Sequence, residues 1–413
     1  MICQPPGHLD NTLTTNASWL DDFPARLTDL QTRHLLRERR TVVPQEGAYL
    51  QVNGERLLAF CSNDYLGLAR HPALVKAACA GARSYGVGSG ASPLVSGHSA
   101  PNDALEHDLA ALVGLPRALY FYAGFSLNTG IVPALVGKGD AIFSDALNHA
   151  CLIDGARLSG AQIHRYAHAD LAALEAALAG SPARRKLIMS DAVFSMDGNL
   201  ADVPGLLALA ERYDALLLLD DAHGFGVLGP RGAGALAACG LTGAAASPRV
   251  LYMATLGKAA GVAGAFVAGS DALVEWLLQT TRSYIFATAA PALLASALRA
   301  SVALIAGSDD RRQHLQRLIA QLRAGLSTAL AGHRWQLSTS TTAIQPLVIG
   351  PNDEALAVMD RLRQRGLWVP AIRPPTVAPG TARLRIALSA AHTTQDIDRL
   401  VTDIAALAAT CDR

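Results

Sequence analysis

The chain has 413 residues, of which 51% are hydrophobic and 17% are charged, and its formal net charge is +1. This composition is typical of a globular enzyme with large buried surfaces; it excludes a disordered chain and a protein that binds nucleic acid or an anionic membrane through net charge. No apolar run approaches the roughly 20 residues that span a bilayer, and the scattered cysteines predict reduced thiols in a cytoplasmic protein rather than disulfides or a zinc site.

The N-terminal part carries one helical pattern. Residues 1–18 are polar, lack the core of a signal peptide and are predicted to be mobile. From Leu20 to Arg40 apolar residues recur at roughly helical spacing, which predicts an N-terminal helical segment within residues 1–61. The end of this helix is basic, with Arg33, Arg37, Arg39 and Arg40. These arginines favour a solvated helix end near the negative pole of the dipole; the alternative is an anion site for a carboxylate or a nucleotide phosphate.

Between residues 63 and 269, short apolar runs alternate with helical patterns. The runs are Ala118–Tyr122, Ala141–Ser144, Gln162–Tyr166, Lys186–Ser190, Leu216–Asp220, Val250–Ala254 and Gly264–Ala268. Helical stretches such as Asp170–Ala179 and Val203–Tyr213 lie between several of them. The alternation predicts an α/β fold with a mainly parallel sheet covered on both faces, in a large domain over 62–306. Ligands of such sheets bind at the carboxyl ends of the strands.

The remaining residues predict a smaller α+β domain over 307–413. One helix is predicted over Pro291–Gly307, and a second one covers Asp309–Leu330. Beyond them, three apolar runs read as strands between helices: Ile344–Ile349, Trp368–Ile372 and Arg383–Ser389.

One lysine has an unusual setting. Lys258 follows the run that ends at Ala254, and the residues around it are small: Thr255, Gly257, Ala259, Ala260 and Gly261. Small residues suit a backbone that approaches a flat cofactor closely, whereas a surface lysine needs no such neighbours. We therefore predict that the Lys258 amine forms a Schiff base with pyridoxal phosphate.

Two acids and a histidine follow a run of leucines upstream of this lysine. Asp220 and Asp221 end the run, and His223 comes two residues later. An acid at the end of a central strand is partly buried and needs a partner. Paired with the pyridinium nitrogen, it keeps that nitrogen protonated, so the ring can accept electrons from a carbanion. His223 can bond the oxygen at the 3-position of the ring. The alternative is that the two acids belong to an ordinary turn after a strand, where Asp is common. The alternation of side chains along the strand indicates only weakly which of the two acids faces the cofactor.

Other residues are candidates for contact with the same cofactor. Gly124 and Phe125 open a strand-to-helix turn whose backbone N–H groups suit a phosphate, and Thr255 and Thr288 offer hydroxyl groups. His149 either caps a helix or stacks on the cofactor ring, and its sequence context fits both interpretations.

Several motifs occur in the order in which one known family has them. They are Ser62–Leu68, Asn148–Gly155, Val193–Gly198, Asp220–Gly226, Thr255–Lys258 and Ala371–Val377. From about Leu20 to Leu407 the chain resembles the α-oxoamine synthase family of fold-type I pyridoxal phosphate enzymes. The resemblance implies an aspartate aminotransferase-like fold. The Ile372–Val377 segment is similar to that of members that use a pimeloyl group.

The resemblance also implies a role for each candidate residue. Lys258 is the Schiff-base lysine and catalytic base, Asp220 pairs with the pyridinium, and His149 stacks on the ring. His223 and Ser195 contact the phenolate oxygen. Phosphate contacts are implied for Gly124, Phe125, Thr255 and, from the neighbouring subunit, Thr288. Substrate contacts are implied for Arg373 and Asn63, with the amino-acid carboxylate, and for Arg37, near the acyl donor.

The implied activity is a decarboxylative condensation of L-alanine with pimeloyl-CoA or a pimeloyl-carrier protein, in biotin biosynthesis, by a homodimer with shared sites. One alternative is a glycine-using transferase of the same family, of the 2-amino-3-ketobutyrate or 5-aminolevulinate type. Another is a non-catalytic partner subunit, which the presence of Lys258, Asp220 and His223 disfavours. The run Gly86–Gly90 resembles a dinucleotide-binding loop, but no strand of any length precedes it; this argues against an NAD-dependent oxidoreductase.

Overall fold

The computed structural model describes residues 19–411, and the prediction for residues 1–18 lies outside them. The strands are β1 (Val42–Pro44), β2 (Tyr49–Val52), β3 (Glu55–Ala59), β4 (Arg117–Phe121), β5 (Ala141–Asp145), β6 (Gln162–Tyr166), β7 (Lys186–Asp191), β8 (Ala215–Asp220), β9 (Val250–Thr255), β10 (Ala265–Gly269), β11 (Gln336–Leu337), β12 (Ile344–Gly350), β13 (Leu367–Trp368), β14 (Ala371–Ile372) and β15 (Ala382–Ala387). The helices are α1 (Asp22–Thr32), α2 (Pro72–Tyr85), α3 (Ala100–Val113), α4 (Gly124–Leu135), α5 (Ala150–Ser159), α6 (Leu171–Ala179), α7 (Val203–Arg212), α8 (Ala235–Ala238), α9 (Asp271–Thr280), α10 (Arg282–Ile285), α11 (Ala292–Gly307), α12 (Asp309–Ala329), α13 (Asn352–Gln364) and α14 (Thr394–Cys411).

The described chain forms two compact units. The large unit contains residues 63–317 and 389–391, and the small unit contains the described residues of 1–62, 318–388 and 392–413. The sequence suggested three successive parts instead, over 1–61, 62–306 and 307–413. The N-terminal strands group with the C-terminal residues because β3 pairs in parallel with β13, a contact between residues more than 300 positions apart that no local pattern announces.

The large unit is built on a seven-stranded sheet in the order β4-β10-β9-β8-β7-β5-β6. The pairs from β9 through β8, β7 and β5 to β6 are parallel, whereas β10 is antiparallel to both of its neighbours. Leu217, Leu218 and Leu219 of β8 are all buried, so both faces of the sheet are covered, as predicted. Helices α4 and α5 pack on one face through residues such as Ile131 and Leu152.

The seven strands predicted for this sheet are present, and their ends differ from the predicted ends by at most one residue. The agreement has a simple cause: each strand is a short apolar run bounded by turn residues, and a central strand of an α/β sheet is buried on both faces. Helices α11 and α12 also begin and end within one residue of the predicted positions.

The small unit contains two four-stranded sheets, ordered β1-β2-β3-β13 and β11-β12-β15-β14. The single strand predicted over 368–372 is wrong, because β13 and β14 belong to different sheets. Pro370 lies between them and has no N–H to continue a ladder. The helix predicted over 20–40 is too long: α1 ends at Thr32, and His34 has a left-handed backbone with φ 55°.

The hairpin of β2 and β3 is absent from the prediction, although its signal is in the sequence. Asn53 and Gly54 connect the two strands, and both have positive φ, 48° and 94°. An Asn-Gly pair between short strands is the strongest local indication of a two-residue hairpin turn.

Within residues 19–411 no single helix has both the length and the apolar composition that crossing a bilayer requires; α11 and α12 meet those limits only together, as a bent pair.

Candidate active site

One cavity of the large unit lies where the parallel strands end. Three neighbouring strands finish there, β7 at Asp191, β8 at Asp220 and β9 at Thr255. The lining residues are Gly124, Phe125, His149, Cys151, Asp191, Val193, Ser195, Asp220, Ala222, His223, Met253, Thr255 and Lys258. The strand ends therefore bring together eight predicted site residues that are spread over 135 positions of the sequence, from Gly124 to Lys258.

Lys258 lies in a hydrogen-bonded chain with His223. Its Nζ is 3.0 Å from His223 Nε2, and His223 Nδ1 is 2.6 Å from the hydroxyl of Tyr65. That hydroxyl also donates to Asn63 Oδ1 at 3.2 Å, so the predicted residue Asn63 is connected to the lysine through two side chains. If the Tyr65 hydroxyl donates to Asn63, it accepts from Nδ1–H, and Nε2 is left as an acceptor for the lysine. Tyr65 is buried and lies in the first of the sequence motifs, but it was not predicted as a site residue.

The structure separates the two adjacent acids. Asp220 lines the cavity, and its Oδ1 accepts from the backbone N–H of Ala222 at 3.0 Å. Asp221 is fully buried elsewhere, where its Oδ2 accepts from Ala235 N at 2.7 Å and from the Tyr252 hydroxyl at 2.8 Å. Burial raises the pKa of Asp221 to about 7. Asp220 is therefore the acid that can face a ligand in the cavity, and Asp221 holds the loop after β8.

A third acid in the cavity was missed by the sequence analysis. Asp191 pairs in register with Asp220 on the neighbouring strand, and it is buried. Burial raises the pKa of Asp191 well above its ordinary value, and the charge of Asp220 raises it further, while a hydrogen bond from the backbone N–H of His149 opposes the shift. Asp191 therefore keeps its proton to higher pH than an ordinary carboxyl group. Its position at the end of a predicted strand was the available signal.

His149 caps a helix, as one of its two predicted interpretations has it, while stacking on the cofactor ring stays a prediction. Its Nδ1 caps α5 by accepting from the backbone N–H of Cys151 at 3.3 Å, and the residue lines the cavity. Loss of water around the ring lowers the pKa of His149; Asp220 opposes this shift, and Lys258 adds to it. A neutral imidazole with Nδ1 as acceptor carries its proton on Nε2.

The start of α4 provides the polar end of the cavity. The first N–H groups of a helix have no acceptor within the helix and favour anions, and here they belong to Gly124 and the residues after it. A side-chain carbon at position 124 would lie 2.6 Å from Thr255 Cγ2. Only glycine therefore lets the helix start approach the end of β9 this closely.

Four predicted residues lie outside the lining of this cavity: Asn63, described above, and Thr288, Arg37 and Arg373. Thr288 is exposed and lines a separate cavity of the large unit with Ser126 and Arg282. Arg37 and Arg373 line one cavity of the small unit. There the Arg373 guanidinium donates to the carbonyl oxygen of His34. Loss of water, and then the charge of Arg37, lower the pKa of Arg373. Two close guanidinium groups are suited to binding carboxylates or phosphates.

The side chains around Lys258 fit the predicted cofactor. An amine suits its aldehyde, a buried carboxylate suits its pyridine nitrogen, an imidazole can lie on its ring, and a helix start suits its phosphate. Such a set can hold a flat anionic ring and can move a proton at Lys258 Nζ.

Comparisons with known proteins agree with this arrangement. The family model for aminotransferase class I and II matches residues 55–404. The 8-amino-7-oxononanoate synthase 1 of Polaromonas sp. strain JS666 is 76% identical over 398 residues, which cover 96% of this chain and 98% of that protein.

Solved structures extend the comparison to the fold. Serine palmitoyltransferase from S. paucimobilis, with bound PLP and myriocin, has a TM-score of 0.87 and 25% identity, over 94% of this chain and 98% of that one. The 8-amino-7-oxononanoate synthase from Francisella tularensis has a TM-score of 0.73 and 28% identity, over 85% of this chain and 97% of that one. The predicted fold class, a fold-type I α/β transferase, is confirmed. The chain belongs to the aminotransferase class I and II family and, within it, to the family of the 8-amino-7-oxononanoate synthases.

Proposed function

We propose that this chain is a pyridoxal phosphate-dependent C-acyltransferase that makes 8-amino-7-oxononanoate from L-alanine and a pimeloyl thioester, in biotin biosynthesis. A bond forms between the alanine Cα and the acyl carbon, the thioester C–S bond breaks to release a thiol, and the alanine carboxylate leaves as CO2. The observation that carries the proposal is the cavity in which the Lys258 amine and the Asp220 carboxylate occur together. The names of the relatives support the choice of substrates.

The residues of the cavity supply the binding and proton-transfer steps. When bound, pyridoxal phosphate supplies an electrophilic aldehyde and a ring that accepts electrons from a carbanion. We assign the phosphate to the start of α4 at Gly124 and Phe125, with Thr255. Asp220 would pair with the pyridine nitrogen and keep it protonated, and the His149 ring would lie against the cofactor ring.

The remaining polar groups act at the reacting atoms. Lys258 Nζ would hold the cofactor aldehyde, and the same amine, when free, can remove the proton from the alanine Cα. His223 Nε2 lies 3.0 Å from this Nζ, and it would contact the phenolate oxygen of the cofactor together with Ser195. By the resemblance we assign Arg373 and Asn63 to the alanine carboxylate and Arg37 to the acyl donor.

The proposal includes a cytoplasmic homodimer in which Thr288 reaches the phosphate of the other subunit. Thr288 is exposed, and the nearby surface of the large unit exposes Tyr122, Phe125 and Phe286 by 58%, 52% and 70%. Apolar patches of this kind are typical of surfaces that a second chain covers. Sedimentation velocity at micromolar concentration tests this part; a monomer that turns over at the full rate would contradict it.

The test of the activity uses the purified protein with pyridoxal phosphate. Thiol release is measured with alanine, glycine or serine, each combined with pimeloyl-, succinyl- or acetyl-CoA, and products are identified by mass. We expect kcat/KM for alanine with pimeloyl-CoA to exceed the other combinations by at least about 10-fold, the scale of discrimination that missing methylene groups give. Lys258→Ala is the control and should show no turnover.

Two outcomes would replace the proposal. Faster turnover of glycine with a short acyl-CoA would favour a glycine-using transferase of the same family. No turnover with any pair, by a protein that binds pyridoxal phosphate, would favour a non-catalytic partner subunit.

A further inference from the structure

Helix α4 carries a buried amide that reaches the acid of the active site. Asn128 lies one turn after the helix start and has no exposed surface. Its Nδ2 donates to Asp220 Oδ2 at 2.6 Å and to Cys151 Sγ at 3.1 Å. Its Oδ1 has no hydrogen-bond partner within the described residues. The reverse amide orientation would set that oxygen against the carboxylate, so the donor must face Asp220.

The two oxygens of Asp220 are held by different donors. Oδ1 accepts from the backbone N–H of Ala222 at 3.0 Å, and Oδ2 accepts from Asn128. The first contact follows from the turn after β8 and survives any change of side chain. The second depends mainly on one amide, because the other donor to Oδ2, the Cys151 thiol, is 4.0 Å away; the direction of the carboxylate therefore depends on residue 128.

The same amide is connected to His149 through a thiol. Cys151 Sγ lies 2.8 Å from His149 Nδ1, and burial raises the pKa of Cys151 above its ordinary value, so the sulfur keeps its proton. Asn128 donates to this sulfur, and the sulfur can donate to Nδ1. A Cβ at position 155 would lie 2.7 Å from the backbone oxygen of Asn128. Gly155 therefore lets α4 and α5 approach closely enough for these contacts.

We propose that Asn128 is a positioning residue that fixes the Asp220 carboxylate, and through Cys151 the His149 ring, from the same helix whose first turn binds the cofactor phosphate. The inference rests on the proposed function, because it assigns Asp220 to the pyridine nitrogen. Without the amide, the donor left to Asp220 Oδ2 within the described residues is the distant Cys151 thiol, at 4.0 Å, so the carboxylate is no longer held towards the pyridine nitrogen. A carboxylate that turns away from this nitrogen no longer keeps it protonated.

The first test measures binding of pyridoxal phosphate to apoprotein by absorbance titration. In Asn128→Leu we expect the Kd to rise about 10- to 100-fold, the range for loss of a hydrogen bond to a charged group. The same substitution in an Asp220→Asn background should change Kd less than about 2-fold, because its effect acts through Asp220. Asn199→Leu is the matched control: its amide contacts His168 Nε2 at 2.7 Å instead, and Kd should stay within about 2-fold.

The second test uses holoprotein with cofactor labelled at the pyridine nitrogen with ¹⁵N. The wild type should show the resonance of a protonated nitrogen, and Asn128→Leu should shift it towards the unprotonated value. If Asn128→Leu does not fold, Asn128→Asp keeps the shape and removes the donor; its apoprotein should melt lower than wild type and recover in the Asp220→Asn background.

Equal losses of affinity in both backgrounds, or an unchanged ¹⁵N resonance, would overturn the inference and leave Asn128 as a packing residue. A wild type that binds no pyridoxal phosphate would contradict the proposed function instead, so the two failures are distinguishable.

Discussion

The cavity around Lys258 lies at the ends of three buried strands, whereas the cavity around Arg373 lies among helices, two-residue strands and loops of the small unit. In the first, side chains are held by short hydrogen bonds to buried partners such as Asn128 and Ala222. In the second, Arg37 is exposed and the Arg373 guanidinium bonds a backbone carbonyl group. Substitutions should therefore act on the chemical step in the first cavity and on substrate affinity in the second.

The largest effect is expected at Asp220. Asp220→Ala should lower kcat by about 10²- to 10⁴-fold, the size of other preorganised electrostatic contributions, and steady-state kinetics at saturating substrate measures it. Asp221→Asn is the matched control; since this acid contacts Ala235 and Tyr252 rather than the cavity, kcat should change less than about 3-fold. A near-normal kcat for Asp220→Ala would show that Asp220 matters no more to the reaction than Asp221 does.

A smaller effect, on a different parameter, is expected in the arginine cavity. Arg373→Lys keeps the charge but loses the planar fork that binds a carboxylate through two hydrogen bonds. We expect KM for alanine to rise about 10- to 100-fold, with a smaller change in kcat. Arg361→Lys, an exposed arginine of α13, is the control. An unchanged KM would mean that another residue binds the carboxylate. A fall confined to kcat would mean that substitutions in both cavities act on the chemical step.

The smallest effect is on the free energy of unfolding, and it tests how much the burial of the Asp221 carboxylate costs. Because its folded-state pKa is raised to about 7, Asp221 contributes stability that is present below its unfolded pKa of about 3.9 and is lost as the pH rises through 7. Asp221→Asn has no such titration. The free energy of unfolding of the variant minus that of the wild type, measured by urea unfolding, should therefore increase from pH 5 to pH 7 by on the order of 1.4 kcal/mol per pH unit and level off near pH 8.

Asp310 is exposed, and Asp310→Asn serves as the control for this measurement. Its free energy of unfolding, plotted against pH, should run parallel to that of the wild type. If the plot for Asp221→Asn is parallel to that of the wild type as well, burial does not raise the pKa of Asp221 in the folded protein.

The sequence by itself determined the seven-stranded sheet and the positions of Lys258, His149, Asp220 and His223, because buried strands are apolar runs and the chemistry of their ends is visible in the residue types. It did not determine the two short strands around Pro370 or the pairing of β3 with β13, which depend on partners far away in the chain.

The residue types alone did not choose between the two acids; the family resemblance favoured Asp220, and only the tertiary structure showed why this acid faces the cavity. Asp220 and Asp221 are adjacent and chemically identical, and their difference arises from Asn128 on one side and Tyr252 on the other. The structure likewise revealed Asp191 and Asn128 as parts of the site. Their function comes from burial beside other polar groups, and burial is a property of the assembled core rather than of any local segment.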